Sequence, residues 1–181
     1  MKRFIAYFII PMAIVSVLTG MIYGSVQQSY RTGANDPQIQ LCEDISTKLA
    51  KGIPAEKIVP ADTIDIGNSL SSFVTIFNEN GVPIHSTGYL DGNMIQLPKG
   101  VFDYLSSHSL DEVSWQPRKG VRMAMVIMKT ASPSVGFVAA GRSLKQVELR
   151  EFSLRIMILT GWGICFILLT IRGFILINKR S

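Results

Sequence analysis

Histidine and cysteine are scarce: the 181 residues hold two of each, His85, His108, Cys42 and Cys165. The two histidines stand apart from each other and from both cysteines, so no metal ligands are assigned. A phosphate loop, a dinucleotide fingerprint and a G-x-S-x-G nucleophile elbow are all missing. No catalytic residue and no cofactor is therefore assigned, and the chain is not read as an enzyme. Cys42 lies mid-chain and Cys165 within an apolar run, so no internal disulfide is expected. Cys42 reads as a small buried hydrophobe. Charge is sparse too: Asp, Glu, Lys and Arg make up 17% of the chain, below the ~25% typical of soluble domains. The net charge is +5, yet between Gln27 and Arg150 twelve Lys/Arg are matched by twelve Asp/Glu. The surplus comes from Lys2, Arg3, Arg155, Arg172, Lys179 and Arg180, less Glu151. That distribution excludes a basic face for nucleic acid and points to the flanks of membrane segments.

What the sequence has in quantity is apolar residues, 48% of the total, concentrated at the two ends. Phe4 to Val26 carries no charge and is long enough for a helix to cross ~30 Å of hydrocarbon. Pro11 is a kink candidate within it. The absence of a small-x-small cleavage site favours a retained anchor over a signal peptide. A second uncharged run spans Ile156 to Ile171, and Arg172 is placed to snorkel to the near interface. Basic residues at both chain ends place both termini in the cytoplasm and the middle of the chain outside a cytoplasmic membrane. The chain thus divides into an anchor at 1–26, an extracytoplasmic domain at 27–150, and a second span with a short cytoplasmic tail at 151–181. Few residues follow the second span, so output is expected from another chain.

Within the middle region, Asp36-Pro37 reads as a helix start, and Leu41, Cys42, Ile45 and Leu49 as one apolar helical face ended by Gly52 and Pro54. Residues 53–67 read as a connection. Ser72–Asn78 alternates Phe73, Thr75 and Phe77 with Val74 and Ile76, which suits a central strand covered on both sides. Asn80-Gly81 is a hairpin turn leading to a partner strand at Pro83–Gly88. Tyr89–Gly92 reads as a loop and Pro98–His108 as a short helix. Three strands follow, Glu112–Gln116, Val121–Thr130 and Val135–Arg142, with turns at Pro117–Gly120 and Ala131–Ser134. Met123 and Met125 share one face and Met128 takes the other, which fits sheet core better than a thioether copper site. From Leu144 a helix is expected to run without a break into the second span. The fold class is α+β: a five-stranded antiparallel sheet with helices on one side, flanked by two transmembrane helices.

This order resembles the extracytoplasmic PAS-like sensors, the Cache or PDC domains of bacterial receptors. The resemblance rests on the hairpin FVTIFNENGVPIHSTG, the stretch LDGNMIQLPKGVFDYL, the strands EVSWQPRKGVRMAMVIM and GFVAAGRSL, and the exit helix LKQVELREF. It covers roughly residues 5 to 175. It implies sheet order 2-1-5-4-3, a ligand pocket between sheet and covering helices, and signals carried along the exit helix, often in a dimer. Relatives continue into a HAMP, kinase or chemotaxis domain, which is not seen before Ser181.

Tyr89, Tyr104, Trp115 and Arg122 are the ligand-binding candidates: brought together, they would form an aromatic cup with one cation for a small carboxylate-bearing ligand. Core roles for the aromatics and pairing of the nearby arginines with Asp91 and Asp103 are the alternative. The functional expectation is a membrane-anchored sensory module. Its partners are the lipid bilayer, a small-molecule ligand, and either a partner membrane protein or a second copy. The alternative is an accessory subunit that binds protein alone.

Overall fold

The computed structural model describes residues 5–132 and 135–178. Lys2, Arg3, Lys179, Arg180 and the second half of the expected Ala131–Ser134 turn lie outside them. The chain forms two compact units, Thr32–Val147 and the flanking segments up to Arg31 and from Glu148.

In the flanking unit, a π-type turn at Ile5–Ile9 opens into helix α1, Ile10–Ala50, whose residues from Thr32 onward belong to the other unit. Pro11 explains the wide turn, because its ring and missing N–H are incompatible with tight α-helical bonding to the residues before it. Helix α4, Lys145–Asn178, supplies the second apolar segment. Both helices are long and apolar enough to cross a membrane. They meet through a hydrogen bond from Trp162 Nε1 to Ser16 Oγ at 2.9 Å and an edge-on contact of Phe8 with Phe166.

The Thr32–Val147 unit is built on the sheet. Five long strands are β2 (Phe73–Phe77), β3 (Pro83–Ser86), β6 (Leu110–Arg118), β7 (Val121–Lys129) and β8 (Phe137–Ser143). They lie side by side as β3-β2-β8-β7-β6, every neighbouring pair antiparallel. Counted in chain order this is 2-1-5-4-3, the order the resemblance implies. A second, small sheet joins β1 (Ile64–Asp65), β4 (Gly88–Leu90) and β5 (Asn93–Met94). Short helices α2 (Ala55–Ile58) and α3 (Lys99–Leu105) complete the unit.

The strict two-residue period of the central strands sorts the core into two layers. Phe73, Phe77, Met123, Met125, Ile127, Phe137 and Ala139 form one, closed by Ile66, Ile95, Leu97 and Leu105. Val74, Ile76, Val126, Val138 and Ala140 form the other, closed by Cys42, Ile45 and Leu49 of α1. Met123 and Met125 thus enter the first layer while Met128 packs against the second, as their alternation dictates. Helices consequently cover both faces of the sheet, rather than one as expected. Phe73 fits because two glycines make room: a Cβ on either Gly88 or Gly141 would collide with its ring.

Two expectations need correction. No helix starts at Asp36: α1 passes straight through Pro37. Its packing face, Ala34, Gln38, Cys42, Ile45 and Leu49, is buried at uninterrupted helical spacing across the proline. Pro37 and Gly33 are both exposed, so water can take the Gly33 carbonyl that Pro37 cannot serve. Asn35, on the same turn, donates to Glu112 Oε2 at 2.7 Å and ties α1 to the edge strand β6. Tyr89–Gly92 is not a loop. Gly88–Leu90 pairs in parallel with Ile64–Asp65 and antiparallel with Asn93–Met94. Asp91 and Gly92 both have positive φ, 52° and 79°, and make the intervening two-residue turn.

Candidate functional site

The four candidate ligand residues do not converge. Trp115 stands opposite Met123 in the β6–β7 register, so it shares that residue's face and packs, half-buried, on the first core layer. Arg122 is one residue from Met123 and therefore points to the opposite face, where it is exposed. Tyr104 is on the outer side of α3, since Leu105 is the residue turned inward; it is 46% exposed. Its ring stacks on His108 with centroids 3.9 Å apart. Tyr89 alternates with Leu90 in β4, and Leu90 is the one that packs on the core. The aromatic cup with an arginine is thus split by sheet alternation and by the helical phase of α3. Arg118 is the arginine that pairs with Asp91, at 2.7 Å.

A different group of side chains gathers at the other end of the sheet. There the β2–β3 turn, the start of α3 and the β7–β8 connection enclose an open cleft of about 870 Å³. Its floor is Phe102 and Phe137, with ring centroids 5.1 Å apart; Phe102 also meets Phe77 edge-on at 5.3 Å. The turn comes close because Gly81, at φ +74°, has the Phe102 ring where a Cβ would stand. Asn78 shapes that turn by accepting from the backbone N–H groups of Asn80 and Val82.

Around the floor stand Lys99 and Asp103, one helical turn apart on α3, together with Glu79 and Lys129. Among the described residues none of these four charges is in an ion pair. Thr130 Oγ1 donates to the Val135 carbonyl and holds the β7–β8 connection against the cleft wall. An apolar aromatic floor with charges of both signs on its rim can hold a small molecule that carries both a cation and an anion beside an apolar part.

Sequence reasoning missed this cleft because it followed Trp and Tyr. The usable signal was the Lys99/Asp103 spacing on a short helix directly after Pro98.

A second, smaller depression of about 610 Å³ lies between the end of α1, α2 and β3. His85 Nε2 faces Glu56 Oε1 there at 3.6 Å, both partly exposed. Among the described residues no three His, Cys, Asp or Glu side chains gather as a metal would require.

No protein-family description, curated protein or solved structure matches the chain.

Proposed function

We propose that the chain is a membrane-anchored sensory module of the PAS-like, Cache type. It binds a small ligand at the Phe102–Phe137 cleft and passes the resulting shift to a partner membrane protein or to a second copy of itself. One observation carries this reading. Strand β8 begins as a wall of the cleft, at Gly136 and Phe137, and after its last residue, Ser143, only Leu144 precedes the membrane-length helix α4. The Leu144 N–H is itself fixed to the Arg122 carbonyl at 2.8 Å. A ligand that favours one position of β8 therefore biases α4 through the length of that strand and the single residue that joins the two.

The basic flanks Lys2-Arg3, Arg172 and Lys179-Arg180 support a two-pass arrangement in a cytoplasmic membrane, with both termini inside and the sheet unit outside. A tag fused after Ser181 should then be protected from external protease in intact cells, and digestion of it would refute that orientation.

The ligand reading is tested with the full chain in detergent. Thermal unfolding is followed against a panel of amino acids, short peptides and organic acids, for the parent and for a Lys99→Ala/Lys129→Ala double variant. A panel member that raises the parent's Tm by several degrees, and the variant's by less than half as much, supports the cleft. No shift with any class, or equal shifts in both proteins, refutes it.

The filled interior favours a second reading, an accessory subunit that binds protein: both faces of the sheet are occupied by side chains of the chain itself. Cross-linking in native membranes that traps one protein equally well in the double variant would favour it.

A further inference from the structure

The two membrane-length helices leave a groove between them, of about 470 Å³, lined from both sides. Val26 of α1 and Leu149, Leu154 and Met157 of α4 are its apolar lining; Tyr30, Arg150 and Ser153 are its polar lining. Along α1 Tyr30 follows Val26, and along α4 Leu149, Arg150 and Ser153 precede Leu154 and Met157, so both polar ends face the same way with Leu149 among them. Val26 closes the uncharged run of α1, and Tyr30 is one turn past it. Met157 lies inside the uncharged run of α4, and Arg150 precedes that run by six residues. At 1.5 Å per residue the phenol and the guanidinium stand roughly 6–9 Å beyond the hydrocarbon edge, the depth of phospholipid headgroups. Among the described residues no carboxylate is in an ion pair with Arg150; Glu151, its neighbour, does not line the groove.

We propose that this groove seats one phospholipid of the surrounding bilayer. The phosphate accepts from the Arg150 guanidinium and from the Tyr30 and Ser153 hydroxyls, and one acyl chain lies along Val26, Leu154 and Met157. The chemistry fits at both ends. Arg is suited to bidentate phosphate contact, and Tyr is at home at a membrane interface. The groove opens between helices whose apolar surfaces are otherwise exposed, with Leu18, Met21 and Ile22 on α1 and Met157 and Leu159 on α4 all more than half exposed. Acyl chains are the solvent such surfaces require. An anionic headgroup is favoured over a zwitterionic one because Arg150 adds net positive charge.

The proposal rests on the membrane reading, and its test separates the two. Alkaline carbonate extraction of membranes from expressing cells first asks whether the chain is embedded; a chain released into the supernatant refutes the membrane reading and the lipid seat together. The embedded full chain is then purified in mild detergent, titrated with phosphatidylglycerol or phosphatidylcholine, and read by native mass spectrometry. The parent should retain one phosphatidylglycerol. Arg150→Ala should lower its occupancy at matched lipid concentration by about fivefold or more, the size of one charge-assisted contact. Arg155→Ala removes an equal charge outside the groove, where the guanidinium lies 5.9 Å from the Phe152 ring centroid, and should leave retention unchanged. Equal retention by the parent and Arg150→Ala overturns the seat while leaving the membrane reading standing. So does an equal loss in Arg155→Ala, which would show diffuse charge attraction only.

Discussion

If α1 packs on the sheet as one uninterrupted helix, the thiol on its packing face should be chemically silent. Cys42 has no exposed surface, and its Sγ donates to the Val126 carbonyl at 3.4 Å. Burial, the main cause, pushes the thiol from 9.0 up to about 12; a backbone hydrogen bond at Ala140 opposes the rise and the nearby Glu43 carboxylate adds to it. Since the thiolate is the reacting form, a displacement from 9.0 to about 12 leaves about a thousandth of the usual thiolate near neutral pH. Access is a second, independent barrier. With Cys165→Ser making Cys42 the sole thiol, maleimide labelling of the folded chain in detergent should be at least about a thousandfold slower than in denaturant. The linkage has a definite sign. A raised folded-state pKa means that the native state holds its proton more tightly than the unfolded chain does. The contribution is therefore complete below pH 9 and is lost as pH climbs towards 12, at about 1.4 kcal/mol per pH unit. Denaturation midpoints should fall through that window in the parent and fall less in Cys42→Ala. Labelling of the native chain at the denatured rate would refute the packing of α1 on the sheet.

Two substitutions probe other parts of the fold. Pro37→Ala should raise the stability of the Thr32–Val147 unit by about 1–3 kcal/mol, because Pro37 sits in a helix interior and not at a helix start; an unchanged or lowered denaturation midpoint would restore the shorter helix. Gly141→Ala places a methyl group against the Phe73 ring and Met125 Sδ, and should cost about 1–3 kcal/mol through overpacking. A denaturation midpoint equal to the parent's would show that the Phe73 pocket is looser than drawn.

The long strands were legible because their signal is local. FVTIF alternates two apolar faces, and both faces are buried; the Asn80-Gly81 turn has the positive φ that glycine there supplies. The run from Leu144 into the second apolar segment was equally readable, since no Pro interrupts it. What misled the reading was strong local chemistry overruled by tertiary contact. Asp-Pro is a helix-start signal, but the buried face from Ala34 to Leu49 gains more by continuing than the helix loses at one exposed carbonyl. Strand β4 was hidden because its parallel partner, Ile64–Asp65, lies more than twenty residues away and contributes no local period. The Asp91-Gly92 turn carried a signal of the same kind as Asn80-Gly81 and was readable in principle. The expected ligand cup failed for a third reason: placing four side chains in one pocket needs the phase of each element, and a shift of one residue sends Arg122 and Trp115 to opposite faces.

That alternation also limits where a ligand can act on this sheet. Between the sheet and α3, Phe73, Met123, Met125 and Leu105 already fill the space, each buried to within 1% of full burial. A ligand there would have to displace large apolar side chains, at roughly 2–5 kcal/mol for each one unseated. Between the sheet and α1, the layer is closed by Cys42, Ile45 and Leu49; on the same face of α1 the buried Gln38 amide reaches the Ala34 carbonyl at 3.4 Å, with its Oε1 unpartnered among the described residues. At the open end, by contrast, the rim charges of Glu79, Lys99, Asp103 and Lys129 are solvated, so a ligand there replaces water without opening the core. β8 starts at that end, and one residue after its last, Ser143, comes α4, which is long and apolar enough to cross a membrane.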